Sequence, residues 1–234
     1  DSLKIEHIDL LPKSADGSAD VKIGNPASLT PEKYIDKQKV LPLAVHEYTH
    51  FLDSTSTIWG LCHLSLMNKA YMSNYTQGGR EHDFYLAKRF DDHCRNIRLP
   101  DYYTVIEKDV ENTRPWKFDS TLGYIFDAKG NVSNKPIIFW RFFNSEGKLL
   151  ARSPISTISL WEASAMAQEL LAEADLLAST EDDFRLVERS QLSERNLAHI
   201  YNKEITEYFV CAHLVSNSQQ YESALDAFPL CAHI

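Results

Sequence analysis

Residues 43–52 read Leu-Ala-Val-His-Glu-Tyr-Thr-His-Phe-Leu, and this stretch decides how the rest of the chain is interpreted. It contains no proline, and its only formally charged or metal-binding side chains are His46, Glu47 and His50. Residues four apart lie on one face of an α-helix, so the two imidazoles can reach a single ion. The pattern predicts a buried helix that brings two ligands and one carboxylate into a cleft.

The His-Glu-x-x-His spacing suits zinc hydrolysis. Zinc binds neutral imidazole nitrogens, and catalytic sites leave one coordination position for water. Glu47, one residue round the helix, is placed to take a proton from that water, whose pKa the metal lowers towards about 7. The alternative is a surface helix with two coincidental histidines, but such a helix would carry more charge. We therefore predict a Zn²⁺ site with His46 and His50 as ligands and Glu47 as the catalytic base.

This stretch resembles the active-site helix of the zincin metallopeptidases, which carry the same His-Glu-x-x-His motif. Metzincins have a glycine and a third histidine at fixed positions after the second one. Here Asp53 and Ser56 occupy those two positions, which excludes that class.

A second stretch, residues 162–169, reads Glu-Ala-Ser-Ala-Met-Ala-Gln-Glu and resembles the Glu-x-x-Ala-x-x-x-Glu pattern of the gluzincins. The resemblance implies Glu162 as the third metal ligand, 162 − 50 = 112 residues after His50. This separation is long for the family, and a β insertion would account for it. The alternative role for Glu162 is the polar edge of an amphipathic helix.

Other acidic residues compete for the third position. Glu169 and Glu173 follow Glu162 at helical spacing, and Asp53 shares the face of the two histidines. Asp53 is also suited to orienting a histidine by accepting its second ring proton, or to ending the helix. Thermolysin-like members orient a histidine with an aspartate at the position that Met166 occupies here. The resemblance therefore leaves the orienting residue unassigned.

Several further groups have less specific patterns. Tyr201, Tyr208 and His199 follow the Glu162 segment and are candidates for stabilising an oxyanion, although each is more typical of core or surface. We expect His82, His93 and Cys94, which lie among charged residues, to face solvent. Cysteine and histidine, both residue types that bind zinc, occur two residues apart at Cys211–His213 and Cys231–His233. Residues two apart point to different faces of a helix, so we predict that these side chains pack in the apolar core rather than bind a metal.

The composition limits partners and compartment. The chain has 234 residues, of which 24 are basic and 33 acidic, a net charge of −9 that argues against a nucleic-acid partner. No apolar run approaches the roughly 20 residues that span a bilayer, so no membrane partner is expected. Four cysteines without a paired motif favour a reducing compartment, and we predict a cytoplasmic protein. They are Cys62, Cys94, Cys211 and Cys231.

The arrangement of helix and strand patterns predicts an α+β fold, mostly α. We expect a single metallopeptidase-like domain over 1–234 with a zincin-like core, an N-terminal β hairpin and a β-rich insertion at 116–157. A short interruption is expected at 53–57. Because the chain begins at Asp1 rather than at a methionine and stops at Ile234, we expect it to be part of a longer protein. The predicted helices after the insertion cover residues 158–178, 181–189, 193–215 and 221–234.

The function predicted from these patterns is a gluzincin-like zinc peptidase that acts on a peptide or protein substrate. Two other hypotheses remain. One is a zinc-bearing binding or scaffold domain, degenerate or self-inhibited, that works with a partner domain or protein. The other keeps the metal hydrolase but changes its substrate to a non-peptide amide.

Overall fold

The computed structural model describes residues 29–73, 80–127, 129–219 and 223–232. The expected N-terminal hairpin lies almost wholly outside these ranges, as does His233. None of the helices within them has both the length and the apolar character that crossing a membrane requires.

The described chain is mostly helical with one small sheet, which confirms the α+β prediction at this level. The helices are α1 Pro31–Gln38, α2 Leu41–Ser56, α3 Ile58–Tyr71, α4 Glu81–Ile97, α5 Thr157–Ala178, α6 Asp182–Ile200, α7 Thr206–Gln219 and α8 Ala224–Cys231. The strands are β1 Val105–Ile106, β2 Lys117–Phe126, β3 Val132–Phe143 and β4 Leu149–Pro154.

The four strands form one antiparallel sheet in the order β1-β4-β3-β2. Three of them fall within the β segment predicted at 116–157, and β1 precedes it. The β3–β4 turn closes on Asn144, whose side-chain oxygen accepts hydrogen bonds from the backbone N–H groups of Glu146 and Lys148. Gly147 adopts a φ of +82° there, which favours a residue without Cβ.

Two helix boundaries differ from the predictions. The interruption expected at 53–57 is absent up to Ser56, where α2 ends. The hydroxyls of Thr55, Ser56 and Thr57 donate to carbonyls four residues earlier, so these polar side chains are satisfied within the last turn of the helix. The break expected at 190–192 is also absent. Leu192 is buried there, and its packing holds α6 continuous.

A break does divide the helix predicted at 193–215. After α6 ends at Ile200, a short 3₁₀ turn over Lys203–Ile205 leads into α7.

Helix α5 is the central element. It begins at a reciprocal cap, in which the side chains of Ser156 and Ser159 each accept from the other's backbone N–H. Small buried residues in its first half let neighbouring helices approach: Ala163, Ser164, Ala165 and Ala167. It packs against α2 on one side and against α7 and α8 on another. This contact brings 46–50 and 162–169 together.

Candidate metal centre

Three side chains from α2 and α5 converge on one point. The Nε2 atoms of His46 and His50 are 3.2 Å apart, and each lies 3.4 Å from Oε2 of Glu162. Two ligands of a tetrahedral zinc, each about 2.05 Å from the metal, are about 3.3 Å apart. The three donor atoms therefore form a triangle of the size that zinc requires, and this group could hold a metal ion.

The state of Glu162 fits such an ion. Its Oε2 is buried and accepts no hydrogen bond in the described part of the chain; the two imidazoles, each at 3.4 Å, are ion-pair partners only. Burying a carboxylate oxygen without hydrogen bonds costs free energy. A cation at the centre of the triangle would satisfy it.

Glu169 contacts His46 at the ring nitrogen that faces away from the triangle. Nδ1 of His46 donates a hydrogen bond to Oε2 of Glu169 at 2.9 Å. This bond places the ring proton on Nδ1 and leaves the Nε2 lone pair directed at the triangle. Glu169, a rival for the ligand position in the sequence, is therefore an orienting residue. Glu169 follows Glu162 by seven residues, so both lie on one face of α5. This spacing is the feature of the sequence that places Glu169 near the same site.

Charge in the centre is balanced between these groups. Contacts with Glu162 and then Glu169 raise the pKa of His46 to about 9, although burial acts in the opposite direction. A metal ion that binds Nε2 of His46 must therefore displace a proton from it. Burial raises the pKa of Glu162, but contacts with His46 and His50 outweigh it and bring the value to about 2. The carboxylate is thus held ionised, which is the form that binds a cation.

Asp53 lies outside the triangle but near His50. Burial raises the pKa of Asp53, and the charge of His50 opposes that rise. Oδ2 of Asp53 and Nδ1 of His50 are both buried without a hydrogen-bond partner among the residues described. Asp53 lies inside α2 rather than at its end, and it is not part of the donor group.

The prediction of a buried helix is wrong for α2: Pro42 and His46 are its buried residues, and large apolar side chains such as Phe51 are exposed. Glu47, next to His46 in the sequence, is exposed as well. Across residues 29–73, 80–127, 129–219 and 223–232, no side chain forms a hydrogen bond or ion pair with its carboxylate, so the carboxylate is open to water.

Glu173, the other rival on α5, does not reach the donor triangle. It lines a cavity of about 430 Å³ together with Glu169, Arg195 and His199. Burial, followed by the charge of Glu169, raises its pKa. Glu173 thus lies on the far side of Glu169 from the metal ligands.

The three candidates for oxyanion stabilisation occupy different environments. Tyr201 packs against Trp116 and His213 in the core, and His199 is exposed at the cavity that Glu169 lines. Tyr208 is half-buried, and its pKa is raised by burial and then by the charge of Glu162. Of the three, Tyr208 is the one whose surroundings include a residue of the triangle.

The remaining expectations have mixed outcomes. Cys211 and His213 are buried in the core, as the packing prediction requires. His82 is exposed as expected. The prediction for His93 and Cys94 is wrong: both are half-buried, because α4 packs its second half against α3.

Comparisons with protein-family models, curated proteins and solved structures found no match to this chain. The chemistry of the centre therefore rests on the residues and geometry described above.

Proposed function

We propose that this protein is a zinc-dependent peptidase of the His-Glu-x-x-His type, with a gluzincin-like zincin core. The observation that carries the proposal is the triangle of His46, His50 and Glu162 donors, with sides of 3.2, 3.4 and 3.4 Å. Two helices supply it, as the gluzincin resemblance implies, and the exposed Glu47 adjoins His46 in the sequence. The expectation of a cytoplasmic protein belongs to the same proposal.

The roles of the chain's residues follow from their positions. A zinc ion bound to the triangle would lower the pKa of a coordinated water to about 7 and polarise a peptide carbonyl. With zinc bound, Glu47 would serve as the base for that water and would return the proton to the leaving amine. Glu169 holds the His46 ring in place through Nδ1, and Tyr208 is the nearest candidate to donate to the developing oxyanion.

Partial exposure of two ligand side chains favours an enzyme over a sealed structural site. The side chains of His50 and Glu162 are 24% and 19% exposed, although the Oε2 donor atom of Glu162 is itself buried. A structural zinc site is closed by four protein ligands, whereas a catalytic site keeps a position for water. The test must separate this proposal from two alternative functions, a scaffold domain and an amide hydrolase that acts on a non-peptide substrate.

The test compares zinc content and peptide cleavage in three variants. Glu47→Gln removes the base but no ligand, so it should retain zinc and lose cleavage of a peptide library by about 100-fold or more. Glu162→Gln removes a charged ligand and should greatly weaken zinc binding at the triangle. Glu32→Gln, at an exposed position on α1, should change neither.

Two results would contradict the proposal. Full activity in Glu47→Gln would exclude Glu47 as the base. Zinc binding by the wild type without any peptide cleavage would favour the scaffold or non-peptide hypothesis instead.

A further inference from the structure

A second pair of histidines lies between α3 and α4. The rings of His63 and His93 have centroids 5.3 Å apart at an interplanar angle of 40°. The corresponding distance between His46 and His50 in the first centre is 4.8 Å. The two pairs therefore have similar separations, although His63 and His93 come from different helices and have no recognisable sequence motif.

Each of these rings carries a buried nitrogen that lacks a partner. Nδ1 of His63 and Nε2 of His93 are buried and form no hydrogen bond within the described ranges. A neutral imidazole has one donor and one acceptor nitrogen, and burying either without a partner costs free energy.

The walls around the pair are aromatic. Trp59 stacks on His63 with centroids 5.5 Å apart and planes within 9°, and Phe90 and Trp161 also contact that ring. Burial, followed by the neighbouring His93, lowers the pKa of His63. The ring is thus kept in the neutral form that has a lone pair for a metal.

We propose that His63 and His93 form a second metal site, for a first-row divalent cation that prefers imidazole, such as Zn²⁺, Ni²⁺ or Cu²⁺. Within the described ranges the first centre is the one group of three or more His, Cys, Asp or Glu donors close enough to share an ion. The second site therefore has two protein ligands, with water completing its coordination, and it binds more weakly than the first. It is independent of the proposed peptidase activity.

Equilibrium dialysis of the full chain against Zn²⁺ tests the site. We expect two equivalents in the wild type and one in His46→Asn/His50→Asn, in which only the second site remains. Adding His63→Asn or His93→Asn to that variant should remove the remaining equivalent. Adding His82→Asn instead, an exposed histidine on the same helix as His93, should keep it.

A fluorescence titration gives a second readout without changing His63 or His93. Ni²⁺ added to His46→Asn/His50→Asn should quench part of the tryptophan emission, because Trp59 stacks on His63 and contacts Trp161 with centroids 4.4 Å apart. Absence of quenching, or a zinc equivalent that survives the further change of His63 or His93, would overturn the proposal.

Discussion

At the residue scale, the contact between His46 and Glu169 defines how the metal centre is held together. His46 faces Glu162 through Nε2 and Glu169 through Nδ1, so both ring nitrogens are engaged. Orienting carboxylates of this kind fix the tautomer of a ligand and increase its basicity. In this chain the orienting carboxylate comes from the same helix as the third ligand, two turns further on.

Replacing Glu169 with Ala should weaken zinc binding by about 10- to 100-fold, because the His46 ring loses the acceptor for its Nδ1 proton. Competition with a chromophoric chelator measures the change. Glu173→Ala is the matched control on the same helix, and it should bind zinc like the wild type. Equal zinc affinities in the two variants would show that Glu169 does not orient His46.

At the scale of elements, the junction between α2 and α3 depends on Gly60. A Cβ at this position would lie 2.2 Å from the carbonyl oxygen of Asp53 and 2.5 Å from Cα of Ser54. Both are backbone atoms of α2, so no rotamer change relieves the overlap. Gly60 thus lets α3 begin directly against the last turn of the helix that carries His50.

Gly60→Ala should destabilise the protein by about 2 kcal/mol or more, as an overpacked site does. The gain in helix propensity, about 1 kcal/mol, is too small to offset it. Chemical denaturation measures the change. Ser65→Ala, at an exposed position in α3, should have little effect. An unchanged free energy of unfolding in Gly60→Ala would mean that the two helices are not in this contact.

At the scale of the whole molecule, the core carries a buried histidine that makes stability depend on pH. His213 is fully buried among Trp116, Phe142 and Tyr201, and it donates a hydrogen bond to the carbonyl of Ile200. Burial lowers its pKa from 6.5 to about 4, although the bond to Ile200 opposes the shift. The unfolded chain therefore binds a proton that the folded core excludes between these two values.

The contribution of His213 to stability is fully present above about pH 6.5 and is lost as the pH falls towards 4. In this window the free energy of unfolding should fall by about 1.4 kcal/mol per pH unit on account of this residue. His213→Gln cannot take up that proton, so its stability should fall less steeply. Urea unfolding at several pH values measures the slope, with His199→Gln as an exposed control. Parallel slopes for wild type and His213→Gln would contradict the prediction.

Local patterns in the sequence were sufficient to predict part of the fold and of the candidate site. The mostly helical α+β character, the β segment at 116–157 and the shared face of His46 and His50 follow from periodicity. The extents of α2 and α6 did not, because both helices continue through polar stretches that indicate a break, and in α6 the apolar Leu192 is buried within such a stretch. Helix ends are decided by such contacts as well as by local propensity.

By itself, the sequence determined the directions of side chains within each helix, since the α-helical repeat sets which residues share a face. It therefore paired His46 with His50, and Glu162 with Glu169. Only the tertiary structure decided which faces meet. The packing of α2 on α5 places Glu162 at Nε2 of His46 and Glu169 at Nδ1. The packing of α3 on α4 brings His63 to His93. These contacts join distant parts of the chain, and shape and burial select them rather than local spacing.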